Sequence, residues 1–432
     1  MHDRHRPVPA WLAWSVLGVA AWAALAILGI SMYASRTPPS AGFDLELLLL
    51  GGRRIAQGIS PYDAFLLAGG VVEIQSLFFS YPPHVAQATS LLVGIPSWIV
   101  VIFVWVGSAL ATVAVGRAIA QRLAPPVIAN RVTLVLAAVA PLWFPYALAL
   151  LFGNIDAFFP ALFGLMLLGV LPLSRANESS RSDIDPPNPS ANTGPAARAP
   201  GRGDAARAGV ALALAATTKL HPASMGVWFL VRGGRDRRSS GRWPDAWRVV
   251  VIAGAVAVAV LAASLLVGGL DPWRDYAAVL RAGTNADLLD GRNLSPAVQV
   301  VLLVGGDLGL VRAIQVGILV TSVAVTAIAA WSILDPVESL AWATVASFVV
   351  LPVAWYHYPA ALIPFAVAAV ARAETAGGSV RHRTRITASG TLLLGILGVG
   401  LPIMWLAVLS LLATIRVSAG QDRSRAVISV AA

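Results

Sequence analysis

Three residues stand where an otherwise apolar chain gives little reason for them, and each could do acid–base or phosphate chemistry. Asp44 lies in "GFDLELLLLGGRRIAQGISPYD" (Gly42–Asp63), just after the first long apolar run. A carboxylate there can take a proton from a hydroxyl. An Asp opening a helix can equally serve as its N-cap, and taken alone the cap is the more ordinary role. Lys219, in "LAATTKLHPASMGVWFL", is the only lysine among 31 lysines and arginines, and His221 and Pro222 follow it. A compact ammonium suits a phosphate, whereas a snorkelling lysine only reaches for the membrane interface. His357, in "LPVAWYHYPAALIPF", sits between two apolar runs with Trp355, Tyr356 and Tyr358. An aromatic belt accounts for the Trp and Tyr residues; the imidazole titrates near neutrality and can act as a base or bind a sugar or phosphate.

Less specific pieces accompany them. "LFGNIDAFFP" places Asn154 and Asp156 between apolar runs, "FSYPPHVAQA" opens a run with two prolines, and "DGRNLSPAV" offers Arg292 and Asn293. No phosphate-binding glycine loop, dinucleotide fingerprint, HExxH or GxSxG stands in a usable context, which leaves soluble-nucleotide chemistry without support.

The elements that must position these residues are membrane helices. The 432 residues are 57% hydrophobic and only 12% charged, with a mean hydropathy of +0.75. Soluble domains are about 45–50% apolar. Long apolar runs predict crossings at Trp11–Tyr33, Tyr81–Ile95, Ser97–Gly116, Arg131–Leu151, Ala157–Leu173, Ala208–Val231, Val249–Gly268, Leu310–Leu334, Val337–Pro352, Pro359–Ala371 and Ala388–Thr414, with Leu294–Val304 as a further short one. The expectation is an all-α polytopic membrane protein with about 10–12 crossings or re-entrant pieces. There is no cysteine, hence no disulfide and no thiol nucleophile. The formal net charge of +10 comes from loops and is explained by positive-inside topology and anionic lipid, not nucleic acid.

The loops then assign sides. Met1–Pro9 is short and basic, which puts the N-terminus in the cytoplasm. The basic loops Arg232–Arg248 and Arg372–Arg385 are cytoplasmic; Gly42–Phe79 and Asp271–Asn293 lie outside. Leu45, Leu48, Leu49 and Ile55 make the apolar stripe of a short helix lying on the membrane surface. Residues 34–80 form the external first loop, the Pro- and Ser-rich stretch 174–207 is a disordered linker, and 415–432 is a flexible tail. Strict counting places the linker and the Arg117–Arg131 loop outside, against the charge rule, unless Tyr81–Ile95 re-enters instead of crossing.

Taken in order, Asp44, "GISPYD", "YPP", "GNID", "TKLHP", "NLSP" and a Trp-x-His before an apolar run resemble glycosyltransferase family 87. The resemblance spans roughly Phe43 to Pro364 and rests on the order of the motifs. It implies a GT-C-fold enzyme of the plasma membrane with an extracytoplasmic active site, moving mannose from a polyprenyl-phosphate donor to a glycolipid or envelope glycan. The family's catalytic acid maps to Asp44, and its Trp-x-His-His maps to Trp355–Tyr358. This chain has Tyr358 where the second His belongs, and Leu48 where a Tyr is common. Asp44 is the expected base, with His357 next in line for that role, and Lys219 and Arg292 grip the phosphate. His221, Asn293, Tyr62, Tyr81, Asn154 and Asp156 complete the substrate-binding set. No metal and no cofactor are expected, since the loop lacks an Asp-x-Asp. Rival readings are an arabinofuranosyltransferase on the same fold, a lipid or glycan flippase, and a catalytically silent assembly protein.

Overall fold

Long uninterrupted apolar runs become straight helices here, and runs interrupted by Pro or Gly become broken ones. The computed structural model describes residues 9–35, 41–68, 79–171, 202–241, 243–283, 288, 289, 291, 293–397 and 401–431. Every regular element among them is an α-helix or a short 3-10 turn. α1 (Ala10–Ser35) is followed by three short helices, α2 (Phe43–Ala56), α3 (Ala64–Leu67) and α4 (Pro83–Ser90). α5 (Ser97–Leu123) precedes α6 (Pro126–Val139) and α7 (Phe144–Leu151). Then come α8 (Phe159–Leu168), α9 (Arg202–Thr218), α10 (Met225–Ser240), α11 (Asp245–Gly268), α12 (Asp271–Gly283) and α13 (Pro296–Val304). α14 (Leu308–Ser332), α15 (Pro336–Val349), α16 (Ile363–Ala376), α17 (Gly378–Ile396) and α18 (Leu401–Ala431) complete the bundle.

Five helical segments among the described residues are long and apolar enough to cross a membrane unaided, and the pair α6–α7, bent by 65° around Pro141 and Pro145, makes a sixth. Shorter helices, shielded by their neighbours, fill the interior. Three sequence expectations change. Ala208–Val231 is not one span: the helix stops after Thr218, a 3-10 turn occupies His221–Ser224, and α10 restarts at Met225. Pro222 removes a backbone donor, and an interrupted helix is tolerated at membrane depth only where neighbouring protein covers it. Ala388–Thr414 is a hairpin, with Thr391 Oγ1 2.8 Å from Ser410 Oγ across α17 and α18. Tyr81–Ile95 reduces to the eight residues of α4, about 12 Å at 1.5 Å per residue, far too short to cross.

That last change removes the conflict over the loops. With α4 packed on α2 and α11 instead of crossing, α5 carries Arg122 to the end of the bundle where α9 begins. There Arg122 bonds the Leu171 carbonyl (3.1 Å) and Asp204 (3.0 Å). α9 and α10 run out and back, so Arg232, bonded to the Ile333 carbonyl (2.8 Å), lies at the same end, as does the Arg372–Asp335 pair (2.7 Å). The basic segments therefore gather at one end. Residues 202–207, expected in the linker, belong to α9; residues 174–201 lie outside the described set. The stretch from 415, expected as a tail, continues α18, with Ile415 and Ala419 buried.

The opposite end is built differently. α2 does lie across it, but its stripe Leu45, Leu48 and Leu49 is buried in protein, against Tyr62, Phe79, Val85 and Tyr276. The N-terminus of α2 abuts the C-terminus of α7: Gly42 N–H donates to the Leu151 carbonyl (2.8 Å), and Asp44 and Leu45 N–H donate to the Phe152 carbonyl (2.9 and 3.2 Å). The unpaired donors of one helix thus meet the unpaired acceptors of another. The junction needs glycine at Gly153, where φ is +63° and an added Cβ would sit 3.0 Å from Leu45 Cβ. Gly153→Ala is expected to cost about 1–2 kcal/mol from the left-handed backbone alone, and to lower activity further by displacing α2. Gly58→Ala, at φ +74° with open space around it, should incur the backbone cost without the loss of activity. Thermal unfolding and turnover of the two variants, measured side by side, check this.

Candidate active site

Three interrupted helices converge beside the α2–α7 junction, and each breaks at a sequence motif: Asn154–Phe158, Lys219–Ser224 and His357–Leu362. Each contains a 3-10 turn, which turns its side chains inward where a continuous helix would carry some of them to lipid.

Asn154 organises the first break. Its Oδ1 accepts the Asp156 N–H at 2.9 Å, which fixes the amide so that Nδ2 donates to Asp44 Oδ2 at 2.7 Å. Asp44 is therefore not the helix cap. Gly42 holds that position with no side-chain bond, and the Asp44 carboxylate turns toward the cluster. Among the described residues, no hydrogen bond engages its Oδ1.

Asp156 is fully buried, and its Oδ2 binds two partners: Lys219 Nζ at 2.8 Å and His357 Nε2 at 3.0 Å. Among the described residues its Oδ1 has no partner. The carboxylate fixes the tautomer of His357. Nε2 carries a proton toward Asp156, so the 3.3 Å approach of Asn154 Nδ2 to the same nitrogen is a contact between donors, and the lone pair resides on Nδ1. Tyr358 fills the space between Lys219 and the two imidazoles. Lys219 Nζ lies 4.8 Å from its ring centroid, and the His221 and His357 rings lie 5.2 and 4.9 Å away. Tyr81 adds a second face, 5.8 Å from Lys219 Nζ. His221 Nδ1 lies 3.4 Å from Ser347 Oγ. That hydroxyl donates to the Thr344 carbonyl (2.7 Å), so His221 is the donor and its buried Nε2 is left unpaired.

Burial pushes the Asp44 carboxyl above the ordinary aspartate range. The neighbouring Asp156 charge acts in the same direction, while His357, the bond from Asn154, and Lys219 oppose it. The sum is an acid that holds its proton to higher pH than a free aspartate and is a stronger base once ionised.

Of the sequence-predicted residues, Asp44, Asn154, Asp156, Lys219, His221, His357 and Tyr81 come together. Tyr62 and Asn293 support the site from outside it. Tyr62 is fully buried, stacked on Tyr276, and its hydroxyl donates to the Tyr81 carbonyl (2.8 Å). Asn293 accepts from Ser295 and Ala354 N–H (2.9 Å each) and donates to the Pro352 carbonyl (2.9 Å). It thereby ties the start of α13 to the segment that leads into His357. Arg292 lies outside the described residues. Sequence reasoning missed Tyr358, which read as a departure from the motif and proves to be the ring shared by Lys219, His221 and His357. It also treated Asp156 as peripheral; the only available signal was a carboxylate inside an apolar run. Among the described residues, no group of three or more His, Asp or Glu is arranged to hold a metal ion.

A helical membrane protein with a buried acid–amide–imidazole–ammonium cluster at the end away from its basic loops is the class that fold and site define. Residues 78–352 match glycosyltransferase family 87, and the chain belongs to that family. Asn154, Asp156 and Lys219 lie inside the matched segment, while Asp44 and His357 flank it. Among solved structures, the crystal structure of ArnT from Cupriavidus metallidurans bound to undecaprenyl phosphate is similar at 16% identity and a TM-score of 0.40, over 94% of this chain and 76% of that one. No curated protein matches the chain.

Two outcomes follow for stability. A carboxyl whose pKa is raised by folding costs stability as pH climbs from the ordinary value of 3.8 through the raised one, because the unfolded chain releases its proton first. Asp44→Asn should therefore leave the melting temperature at neutral pH unchanged or raised, and flatten its pH dependence above 3.8; a cap would give the reverse. Asp156→Asn leaves Lys219 without its counter-charge and should cost about 3–5 kcal/mol. Adding Lys219→Met to Asp156→Asn should recover most of that loss, as a thermal-shift double-mutant cycle would reveal.

Proposed function

We propose that this family 87 enzyme transfers a sugar, mannose, from a polyprenyl-phosphate donor to a hydroxyl of a glycolipid or envelope glycan, with inversion, at the extracytoplasmic face of the plasma membrane. The observation that carries this reading is the pairing of Asp44, oriented by Asn154 through Oδ2 and open at Oδ1, with the Lys219 and His357 groups gathered on Asp156.

The step is a single displacement. The acceptor hydroxyl gives its proton to Asp44 as its oxygen attacks the anomeric carbon. The bond from that carbon to the phosphate oxygen breaks, and polyprenyl phosphate leaves with the electron pair. Lys219 supports the departing phosphate with the ammonium hydrogens that Asp156 does not use, and His357 stands beside it on the same carboxylate. Asp156 spans the ammonium and the imidazole and holds them at one spacing before the donor arrives, so the transition state need not wait for them to gather. Tyr81 and Tyr358 wall the site with ring faces of the kind that sugars and ammonium groups both accept. A donor anchored by a polyprenyl tail reaches such a site laterally from the bilayer. By the positive-inside rule the basic end faces the cytoplasm, which supports an outward position for the cluster. The polar groups cluster at one end and do not line a path, which favours a transferase over a flippase.

The test incubates the purified protein with radiolabelled polyprenyl-phosphate-mannose and host lipids. Label passing to a lipid is expected. Transfer only from polyprenyl-phosphate-arabinofuranose would replace the sugar assignment, and movement of the lipid across vesicles without transfer would replace the enzyme reading. Asp44→Asn should reduce turnover by about 10²-fold or more, with the pH profile losing an acidic limb that lies above the ordinary aspartate value. Lys219→Met should weaken donor use strongly and Lys219→Arg partially, since a planar fork replaces a point charge. Activity per folded molecule against donor concentration is the readout, and an unchanged donor dependence in Lys219→Met would assign that residue to topology. A thiol placed in the α2 loop should react with an impermeant reagent from outside.

A further inference from the structure

A cavity of about 840 Å³ lies away from the acidic cluster, between α1, α6, α16 and α17. It reaches the upper part of the roughly 300–1,000 Å³ range of small-molecule sites. Its walls are apolar from Trp143 down to the basic end of the bundle, where Arg131, Glu374, Thr384 and Arg385 line it. The cavity exists because α1 is held close from Gly18 onward but not over its first turns. Gly18 sits so close to Ala138 that an added Cβ would lie 3.1 Å from its Cα, and Trp22 Nε1 donates to the Ala137 carbonyl at 2.9 Å. Before that contact the first turns stand off. Trp11 is 62% exposed, and the space behind it is open to the side.

Two features of the charged level point to an occupant. Thr384 is 1% exposed, and among the described residues its hydroxyl has no partner. Elsewhere on the same helix, Thr387 and Thr391 bond the carbonyls four residues back, at 3.1 and 2.8 Å. An unpaired buried hydroxyl is destabilising unless something supplies the bond. The rim is also net cationic. Arg385 binds Glu374 through two bonds of 2.6 and 2.8 Å, Arg381 approaches the same carboxylate at 3.8 Å, and Arg131 faces outward on α6. Two arginines share one glutamate, and Arg131 adds a third positive charge to the rim.

Water does not fill a dry apolar wall of this kind, and a neutral hydrocarbon would leave both the arginines and Thr384 unanswered. We propose that the cavity is a binding site for one anionic glycerophospholipid, its acyl chain against α1 and α6, its phosphate at Arg131 and Arg385, and an ester oxygen at the Thr384 hydroxyl. Such lipids supply the negative charge of the cytoplasmic leaflet. The lipid bridges α1 to α16 and α17, which the protein's own side chains leave apart at this level. The site is independent of the transfer chemistry and lies toward the opposite end of the bundle.

The experiment purifies the full chain in mild detergent and measures retained lipid by native mass spectrometry, together with thermal shifts on adding phosphatidylglycerol or phosphatidylcholine. The wild-type chain should retain one anionic glycerophospholipid and be stabilised by phosphatidylglycerol alone. Ser389→Phe fills the cavity from an exposed position, Thr384→Val deletes the hydroxyl at constant shape, and Arg131→Gln removes a rim charge. Each should lower retention at least fivefold and abolish the selective shift. Equal retention by all variants, equal response to the two lipids, no retained lipid in the wild-type chain, or retention of a polyprenyl phosphate instead would each overturn the proposal. Thr384→Val separates the readings further: with no ligand at the hydroxyl, the valine should stabilise the chain without changing its lipid content.

Discussion

The shared bond of Asp156 Oδ2 to Lys219 and His357 is the interaction on which the polar end of this bundle depends. Burying a carboxylate completely is costly, and burying an ammonium beside it is costly too. Together with an imidazole they form one hydrogen-bonded unit whose charges offset one another. Everything near it serves either to exclude water or to set an angle. Asn154 bends back to the Asp156 N–H and hands its remaining donor to Asp44. Tyr358 occupies the space a solvent molecule would take beside Lys219. Asn293, though it touches none of them, fixes the segment that delivers His357.

This arrangement explains why three helices break where they do. An unbroken helix through Lys219 or His357 would present its side chains at a regular 100° progression, and half of each turn would face lipid. A 3-10 turn held by Pro222 or Pro359 tightens the winding and frees backbone groups. Those groups survive because they lie inside protein at the end of the bundle. The interruptions are thus part of the site's construction, and they cost the fold some of its simplest membrane-spanning elements.

Much of this was legible in the sequence. Apolar runs separated by basic loops gave the helical class and most of the helix positions, because hydropathy acts locally. The order of "GNID", "TKLHP" and Trp-x-His pointed to the residues that meet, because each pairs a polar group with a helix breaker. Partner choice was not legible. That Lys219 binds Asp156, 63 positions away in the chain, is set by how α8 and α9 pack, and no local pattern encodes it. The role of Asp44 was open for the same reason, since an Asp two residues into a helix looks like a capping group until the carbonyls of α7 are seen to satisfy the donors it would have capped. Tyr81–Ile95 misled because its apolar composition read as a short crossing, while Pro82, Pro83 and Gly94 restrict the helix to its middle.

The bend between α6 and α7 has a mechanical consequence. α7 is a lever arm about 12 Å long, pivoting at Pro141 and Pro145, and its free tip carries both the carbonyls that seat α2 and the turn that holds Asn154. A rotation of about 10° at the pivot would carry that tip about 2 Å, more than a hydrogen bond tolerates. Asp44 and Asp156 hang from the same tip, so they would travel together and keep their mutual spacing. What would change is their distance from Lys219 and His357, which are anchored on other helices. The kink is therefore the calibration of the gap between the Asp44 half of the site and the half that Lys219 and His357 supply.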